Sequence, residues 1–87
     1  MKLKEIILGK RNAEQADSLK HIQREWPWIV GDSIAEKSRP VKLTDNCLTI
    51  KTDTYRVQSE LSFLRVAVAN RIREKHNIKI TKVLVRG

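Results

Sequence analysis

Fifteen residues, Trp26–Pro40 (WPWIVGDSIAEKSRP), constrain the fold of this chain more than any other stretch. They hold both tryptophans, both prolines and the only glycine between positions 10 and 86. Proline lacks a backbone N–H and disfavours helical geometry at the residue before it. Pro27 therefore predicts a break or kink at Trp26. It also suits the first turn of a new helix, so we expect a second helix from Pro27 to Lys37, ended by Ser38–Arg39–Pro40.

The residues before Pro27 have the period of an amphipathic helix that begins near Asn12, a residue type that caps helix N-termini. Its apolar positions recur at helical spacing: Ala16, Leu19, Ile22 and Trp26. In the second helix we expect Val30 and Ile34 to face inward. Gly31 is expected to allow close backbone packing there, although glycine costs a helix about 1 kcal/mol relative to alanine.

A β-hairpin is predicted next. Apolar residues alternate with polar ones on both sides of a turn: Val41 and Leu43 before it, Leu48 and Ile50 after it. Asp45–Asn46 supplies two residues that tolerate left-handed backbone angles, as a tight hairpin turn requires. Asp53 or Thr54 is expected to cap the helix that comes after the hairpin.

That helix is long, from about Thr54 to Lys75. One apolar stripe repeats at steps of three and four: Val57, Leu61, Leu64, Val68 and Ile72. Phe63, Val66 and Ala67 lie off this stripe. Either the helix is bent in two, so that both groups reach the core, or Phe63 and Val66 face a partner.

The chain closes with a helix cap and a strand. Asn77 is a candidate for the left-handed position after the helix, and Ile78–Val85 has the composition of a strand with a bulge or a late start. A right-handed strand–helix–strand crossover places it parallel to Cys47–Thr52. We therefore predict an α+β fold, with helices on one face of a three-stranded mixed sheet in the order α-α-β-β-α(α)-β. Residues 12–87 form its single domain, and residues 1–11 are set apart as a flexible N-terminal segment.

The charge is strongly asymmetric along the chain. The net charge is +8, residues 16–60 sum to zero, and residues 61–87 carry seven basic groups against Glu74. Such a basic end is typical of proteins that bind nucleic acid, although it also fits a solvated face that serves solubility. Some of the charge complements the dipole at a helix C-terminus. The candidate nucleic-acid-binding residues are Arg65, Arg71, Arg73, Lys75, Lys79, Lys82 and Arg86.

Catalysis, metal binding and membrane insertion find little support in the sequence. There is no glycine-rich phosphate loop or nucleophile motif, and one cysteine with two scattered histidines offers no zinc-ligand spacing. His21 is expected to be a partly exposed surface residue. No apolar run approaches the roughly 18 residues of a membrane span, and the lone Cys47 fits a reducing cytoplasm. We expect a cytoplasmic, nucleoid-associated protein that is not an enzyme and uses no cofactor, metal or small-molecule substrate.

Several motifs of the chain resemble those of the DciA family, bacterial proteins that act with the replicative helicase at the initiation of replication. The likeness runs from about Leu19 to the C-terminus. It rests on these pieces: Trp26-x-x-x-Val30-Gly31, Ile34-Ala35, Ser38-Arg39-Pro40-Val41, Leu48-Thr49-Ile50, Glu60-Leu61 and a final strand ending in Arg86.

The resemblance implies a fold similar to a type II KH domain and a non-enzymatic helicase loader. Such a protein contacts both the replicative helicase and DNA, single- or double-stranded, with low sequence specificity. A KH domain that grips nucleic acid carries a G-x-x-G loop, whereas Ser62–Asn70 contains no glycine. DNA binding is therefore expected from the basic surface.

Aromatic residues are the candidates for the contact with the helicase. A tryptophan at a helix kink is usually buried, so we place Trp26 in the core. Trp28 points elsewhere and is the better candidate for an exposed anchor. The candidate partner-binding residues are Trp28, Trp26 and Phe63. Two other functions stay open: a general KH-like RNA-binding module, and a purely protein-binding adaptor whose charge is incidental.

Overall fold

A computed structural model describes residues 15–87. Its elements are α1 (Ala16–Val30), α2 (Asp32–Glu36), β1 (Ser38–Thr44), β2 (Cys47–Thr52), α3 (Tyr55–Phe63), α4 (Arg65–His76) and β3 (Lys82–Arg86). The strands form one sheet in the order β1-β2-β3, with β1 antiparallel and β3 parallel to β2. The predicted α+β order and mixed sheet are confirmed, while the likeness to a KH domain stays a prediction. The proposed segment 1–11 and the cap at Asn12 lie outside the described residues.

Helix α1 continues through Pro27, so the predicted break at Trp26 is wrong. One helical bond is lost at a proline, but Pro27 and Gln23 are both exposed, where water can replace the missing donor. The helix instead ends at Gly31, whose φ of +94° few other residues adopt. The second helix is accordingly only Asp32–Glu36.

The predicted role of Gly31 is also corrected. A side chain at this position would meet no atom within 4 Å, so the glycine serves backbone conformation and not close packing. Val30 and Ile34 pack against the core as expected. Ser38–Arg39–Pro40 belongs to β1 and begins the sheet.

The core lies between the helices and one face of the sheet. It is built from twelve buried apolar residues: Ile22, Trp26, Ile29, Leu43, Leu48, Ile50, Val57, Leu61, Val68, Ile72, Ile80 and Val83. Four of the five residues in the predicted stripe of the long helix are among them. Leu64 is the exception and is partly exposed, because the helix breaks there.

The break at Leu64 divides the predicted long helix into α3 and α4. The Leu64 N–H is shared between the carbonyls of Glu60 and Leu61, and the helical pattern restarts when the Leu64 carbonyl accepts from Val68. The predicted bend is therefore confirmed. The alternative in which the bend brings both apolar groups to the core is wrong, because Phe63, Val66 and Ala67 are exposed.

Local signals at the turns and caps are confirmed. Asp45 and Asn46 have φ values of 54° and 63°, Thr54 caps α3 by accepting from the Val57 N–H, and Asn77 is left-handed after α4. For the last strand a bulge or a late start was predicted, and the late start is confirmed, since β3 begins at Lys82.

The start of α1 is held against the hairpin turn. The Gln15 side chain exchanges two hydrogen bonds with Asn46, and the Gln15 N–H donates to the Leu43 carbonyl. The Asn46 carbonyl also accepts from Thr81, just before β3. Among residues 15–87, no helix has both the length and the apolar character needed to span a bilayer.

Candidate nucleic-acid and partner interfaces

The sheet has one face that no described helix covers. Alternate residues of a strand point to opposite faces, and the buried residues Leu43, Leu48, Ile50 and Val83 all face the helices. The opposite face, here called the open face, is formed by Arg39, Val41, Lys42, Thr44, Cys47, Thr49, Lys51, Lys82, Leu84 and Arg86.

The open face carries only positive charge. The three strands contain five basic residues and no acidic one: Arg39, Lys42, Lys51, Lys82 and Arg86. Arg39 pairs with Lys51 across the antiparallel strands, and Lys51 pairs with Arg86 across the parallel ones. These three residues, the cationic row, stand side by side at the interstrand spacing of about 4.8 Å.

A shallow groove lies beside the cationic row. Its volume is about 230 Å³, and Val41, Thr49, Lys51, Arg86 and Gly87 line it. The position of Arg86 is fixed at the backbone, because the buried Thr52 donates a hydroxyl hydrogen bond of 3.0 Å to the Arg86 carbonyl. The backbone positions of the row are thus set by the sheet pairing.

The seven basic residues predicted from the sequence do not form one surface. Lys82 and Arg86 lie on the open face. Arg65 begins α4 beside the groove between α4 and β3. The other four lie along α4 and just after it: Arg71, Arg73, Lys75 and Lys79.

Arg71 is occupied within the fold. Its Nη1 donates a hydrogen bond to the carbonyl oxygen of Ile29, in the last turn of α1. That turn contains no basic residue of its own, so Arg71 complements the negative end of the α1 dipole from a neighbouring helix. Arg73 makes only a local contact with Asn70 on the same helix, and it is exposed, as are Lys75 and Lys79.

Sequence reasoning missed Arg39, Lys42 and Lys51. The charge of residues 16–60 sums to zero only because the helices and loops carry acidic residues that balance these three. A signal was present, since the predicted hairpin alternates apolar residues with Lys42 and Lys51. Its predicted parallel partner strand ends in Arg86. To find these residues, the charge has to be summed over each face of the predicted sheet and not over consecutive residues.

The two tryptophans lie on different sides of α1. Trp26 is buried, and its Nε1 donates to the Ser38 hydroxyl at 3.1 Å, while that hydroxyl donates to the Ile34 carbonyl at 2.7 Å. Trp26 therefore occupies the core, as expected, and cannot offer its ring as a surface anchor. Trp28 is 81% exposed.

Two more aromatic side chains are exposed on α3. Phe63, the third candidate for partner binding, is 88% exposed at the end of that helix, and Val66 stands close by in sequence at 72%. Tyr55, at the start of α3, is 82% exposed. Exposure of this degree leaves Trp28 and Phe63 accessible to a partner, whereas Trp26 is not.

His21 is partly exposed, as expected, and it lies close to His76. The Nε2 of His21 on α1 and the Nδ1 of His76 on α4 are 2.9 Å apart, with the rings edge to face. In the part of the chain that the structure describes, no third metal-ligating side chain joins them. The pair is a half-buried clasp between two helices.

A search of the curated proteins finds no match to the chain. The family model described as "Dna[CI] antecedent, DciA" matches residues 2–85, which is nearly the whole chain. The sequence resemblance and the family model agree, and the observed element order is the one predicted from the sequence pattern. The chain therefore belongs to the DciA family.

Proposed function

We propose that this protein is a non-enzymatic loading factor that binds the replicative helicase with one surface and DNA with another. Membership of the DciA family implies a role in loading the replicative helicase at the initiation of DNA replication, and this is not a known enzyme family. Binding of the helicase and of DNA by this chain is our proposal. We propose that it acts in the cytoplasm, at the nucleoid, as such a role requires.

The exposed Trp28 is the observation that carries the proposed helicase contact. Tryptophan offers a large rigid contact area and is enriched among the residues that dominate protein interfaces. The backbone at Trp28 belongs to a helix that is anchored in the core, because Trp26, two residues earlier, is buried and hydrogen-bonded to Ser38. Binding at such a residue therefore loses little backbone conformational entropy.

The basic end supports the proposed DNA contact. Arg73, Lys75 and Lys79 are exposed around the end of α4, and contacts of this kind to phosphates give salt-dependent binding with little sequence preference. Clamping of a strand by a G-x-x-G loop has no support, since no glycine lies near the break at Leu64. We name Arg73, Lys75 and Lys79 the helix-end cluster.

Calorimetric titration tests the helicase contact. The full chain is titrated into the replicative helicase of the source organism, nuclease-treated, at about 0.15 M salt. We expect saturable binding that Trp28→Ala weakens at least about tenfold, an interface hot spot's usual effect. Phe63→Ala tests the second exposed candidate in the same way. Tyr55→Ala is the matched control, because this aromatic is equally exposed on another part of the surface.

These titrations, together with titrations into DNA and RNA oligonucleotides of equal length, separate the alternatives. Binding that is equal for wild type, Trp28→Ala and Phe63→Ala excludes both residues as the interface. If the helicase does not bind and the protein prefers RNA to DNA of equal length, a general RNA-binding module is favoured. If the helicase binds but nucleic acid does not, the protein is an adaptor between proteins and its charge is incidental.

A further inference from the structure

We infer that the open face of the sheet binds the phosphodiester backbone of single-stranded DNA, centred on the cationic row Arg39–Lys51–Arg86. This inference rests on the proposed function in assuming that DNA is a partner. It moves the principal contact from the helix-end cluster to a surface that includes three residues outside the basic end: Arg39, Lys42 and Lys51.

The cationic row is unfavourable for folding by itself. Like charges directly opposite one another on neighbouring strands destabilise a sheet, and here the unfavourable pairing occurs twice in succession, at Arg39–Lys51 and at Lys51–Arg86. No strand residue supplies a compensating carboxylate. An anion bound over the row offsets this repulsion. Binding therefore relieves an unfavourable interaction that the free protein retains.

The distribution of charge fits a polymer better than a small anion. Lys82 pairs with Cys47, and Arg86 pairs with Lys51, so the open face has cations at both ends of the β2–β3 ladder. The two ends are four residue steps apart along the strand, which is roughly 13 Å. A chain of repeating phosphates can meet both ends at once, whereas one small anion cannot.

The surface between the cations favours a single strand. Val41 and Leu84 lie on the open face and are 40% and 39% exposed. Their apolar carbons can contact the faces of unstacked bases. Duplex DNA keeps its base faces stacked inside and offers this surface only phosphates and groove edges. A peptide of acidic residues alone, such as poly-glutamate, could meet the cations, but it carries no flat rings for these two side chains.

Fluorescence anisotropy with a labelled 30-nucleotide oligo-dT tests the inference, with salt varied from about 50 to 200 mM. The test variant is Arg39→Ala/Lys51→Ala/Arg86→Ala. Its matched control is Lys20→Ala/Arg24→Ala/Arg56→Ala, which removes the same charge from exposed positions on α1 and α3. A third variant, Arg73→Ala/Lys75→Ala/Lys79→Ala, removes the helix-end cluster. Circular dichroism and thermal melting confirm that each is folded.

We expect the row variant to bind at least about tenfold more weakly at 0.1 M salt. The slope of log K against log salt should fall in magnitude by about 2, because each phosphate contact on a single strand contributes about 0.7. The charge-matched control should change the affinity much less. A hairpin duplex of equal length and poly-glutamate, used as competitors, should displace the oligo-dT less well than unlabelled oligo-dT.

The outcomes separate this inference from the proposed function. If the row variant binds like the charge-matched control while the helix-end variant loses binding, the open face is not the site and the DNA-binding function stands. If wild type does not bind DNA at all, both fail together. Stronger displacement by the duplex or by poly-glutamate overturns the assignment to single-stranded DNA.

Discussion

The guanidinium of Arg71 on α4 donates a hydrogen bond to the carbonyl oxygen of Ile29, in the last turn of α1. The sequence suggested Arg71 as a nucleic-acid ligand, but in the fold it joins two helices. A charge reversal that includes Arg71 would therefore confuse lost binding with lost stability. Tests of DNA binding should leave this residue intact, as the variants above do.

Replacement of Arg71 by alanine should lower the free energy of unfolding by about 1–2 kcal/mol. A hydrogen bond from a charged donor and the favourable interaction with the α1 dipole are both lost. Urea denaturation measures this change. Arg73→Ala serves as the control, since its side chain contacts only Asn70 on the same helix and its loss should cost under about 0.5 kcal/mol. Equal effects of the two substitutions would show that the Ile29 contact contributes nothing.

Substitution of the two tryptophans should have opposite consequences. Trp26→Ala leaves a cavity in the core and frees the Ser38 hydroxyl, which should cost about 3–5 kcal/mol. Trp28→Ala changes an exposed side chain and should alter stability by no more than about 0.5 kcal/mol. Thermal melting followed by circular dichroism compares them. A large loss of stability in Trp28→Ala would mean that its weakened helicase binding reports unfolding, and would remove it as evidence for the interface.

The clasp between His21 and His76 should be measurable by a double-mutant cycle. The two rings share one hydrogen bond across α1 and α4, and such a bond contributes about 0.5–1.5 kcal/mol of coupling. The cycle uses His21→Ala, His76→Ala and the double variant in urea denaturation at one fixed pH. Strictly additive effects would show that the two residues do not interact in solution.

Removing the central charge of the cationic row should stabilise the free protein. Lys51→Thr relieves repulsion with both Arg39 and Arg86 and should raise the free energy of unfolding by about 0.2–1 kcal/mol. Lys42→Thr is the matched control, because Lys42 pairs with the uncharged Thr49 and relieves no such repulsion. Equal gains from the two changes would attribute the effect to the preference of threonine for strands.

Most of the fold could be predicted from local signals. The hairpin turn at Asp45–Asn46, the caps at Thr54 and Asn77, and the parallel last strand follow from short-range chemistry and a known handedness. The end of α1 was not predicted correctly, because Pro27 was interpreted as the break and Gly31 as a position of close packing. Pro27 lies on the exposed side, where its missing hydrogen bond is easily tolerated, so the glycine with positive φ decided the boundary.

The candidate interfaces were less predictable than the fold. Exposure of Trp28 and Phe63 depends on which side of each helix packs inward, and the spacing of their neighbours indicated this correctly for Trp28. The cationic row depends on strand register across the hairpin and across the crossover. A count of charges along the sequence does not contain the strand register. For the same reason it could not distinguish Arg71, which bonds to another helix, from Arg73, which bonds only to Asn70 on its own helix.

The cationic row is formed only in the fully folded protein. Arg39 and Lys51 meet within a hairpin, which forms locally, but Arg86 arrives only when the far end of the chain pairs with β2. Parallel pairing of distant segments is a slow step in folding. A nascent or partly unfolded chain carries the same arginines and lysines without their alignment. Recognition at this face would therefore distinguish a completed molecule from an unfinished one, although the two carry the same basic side chains.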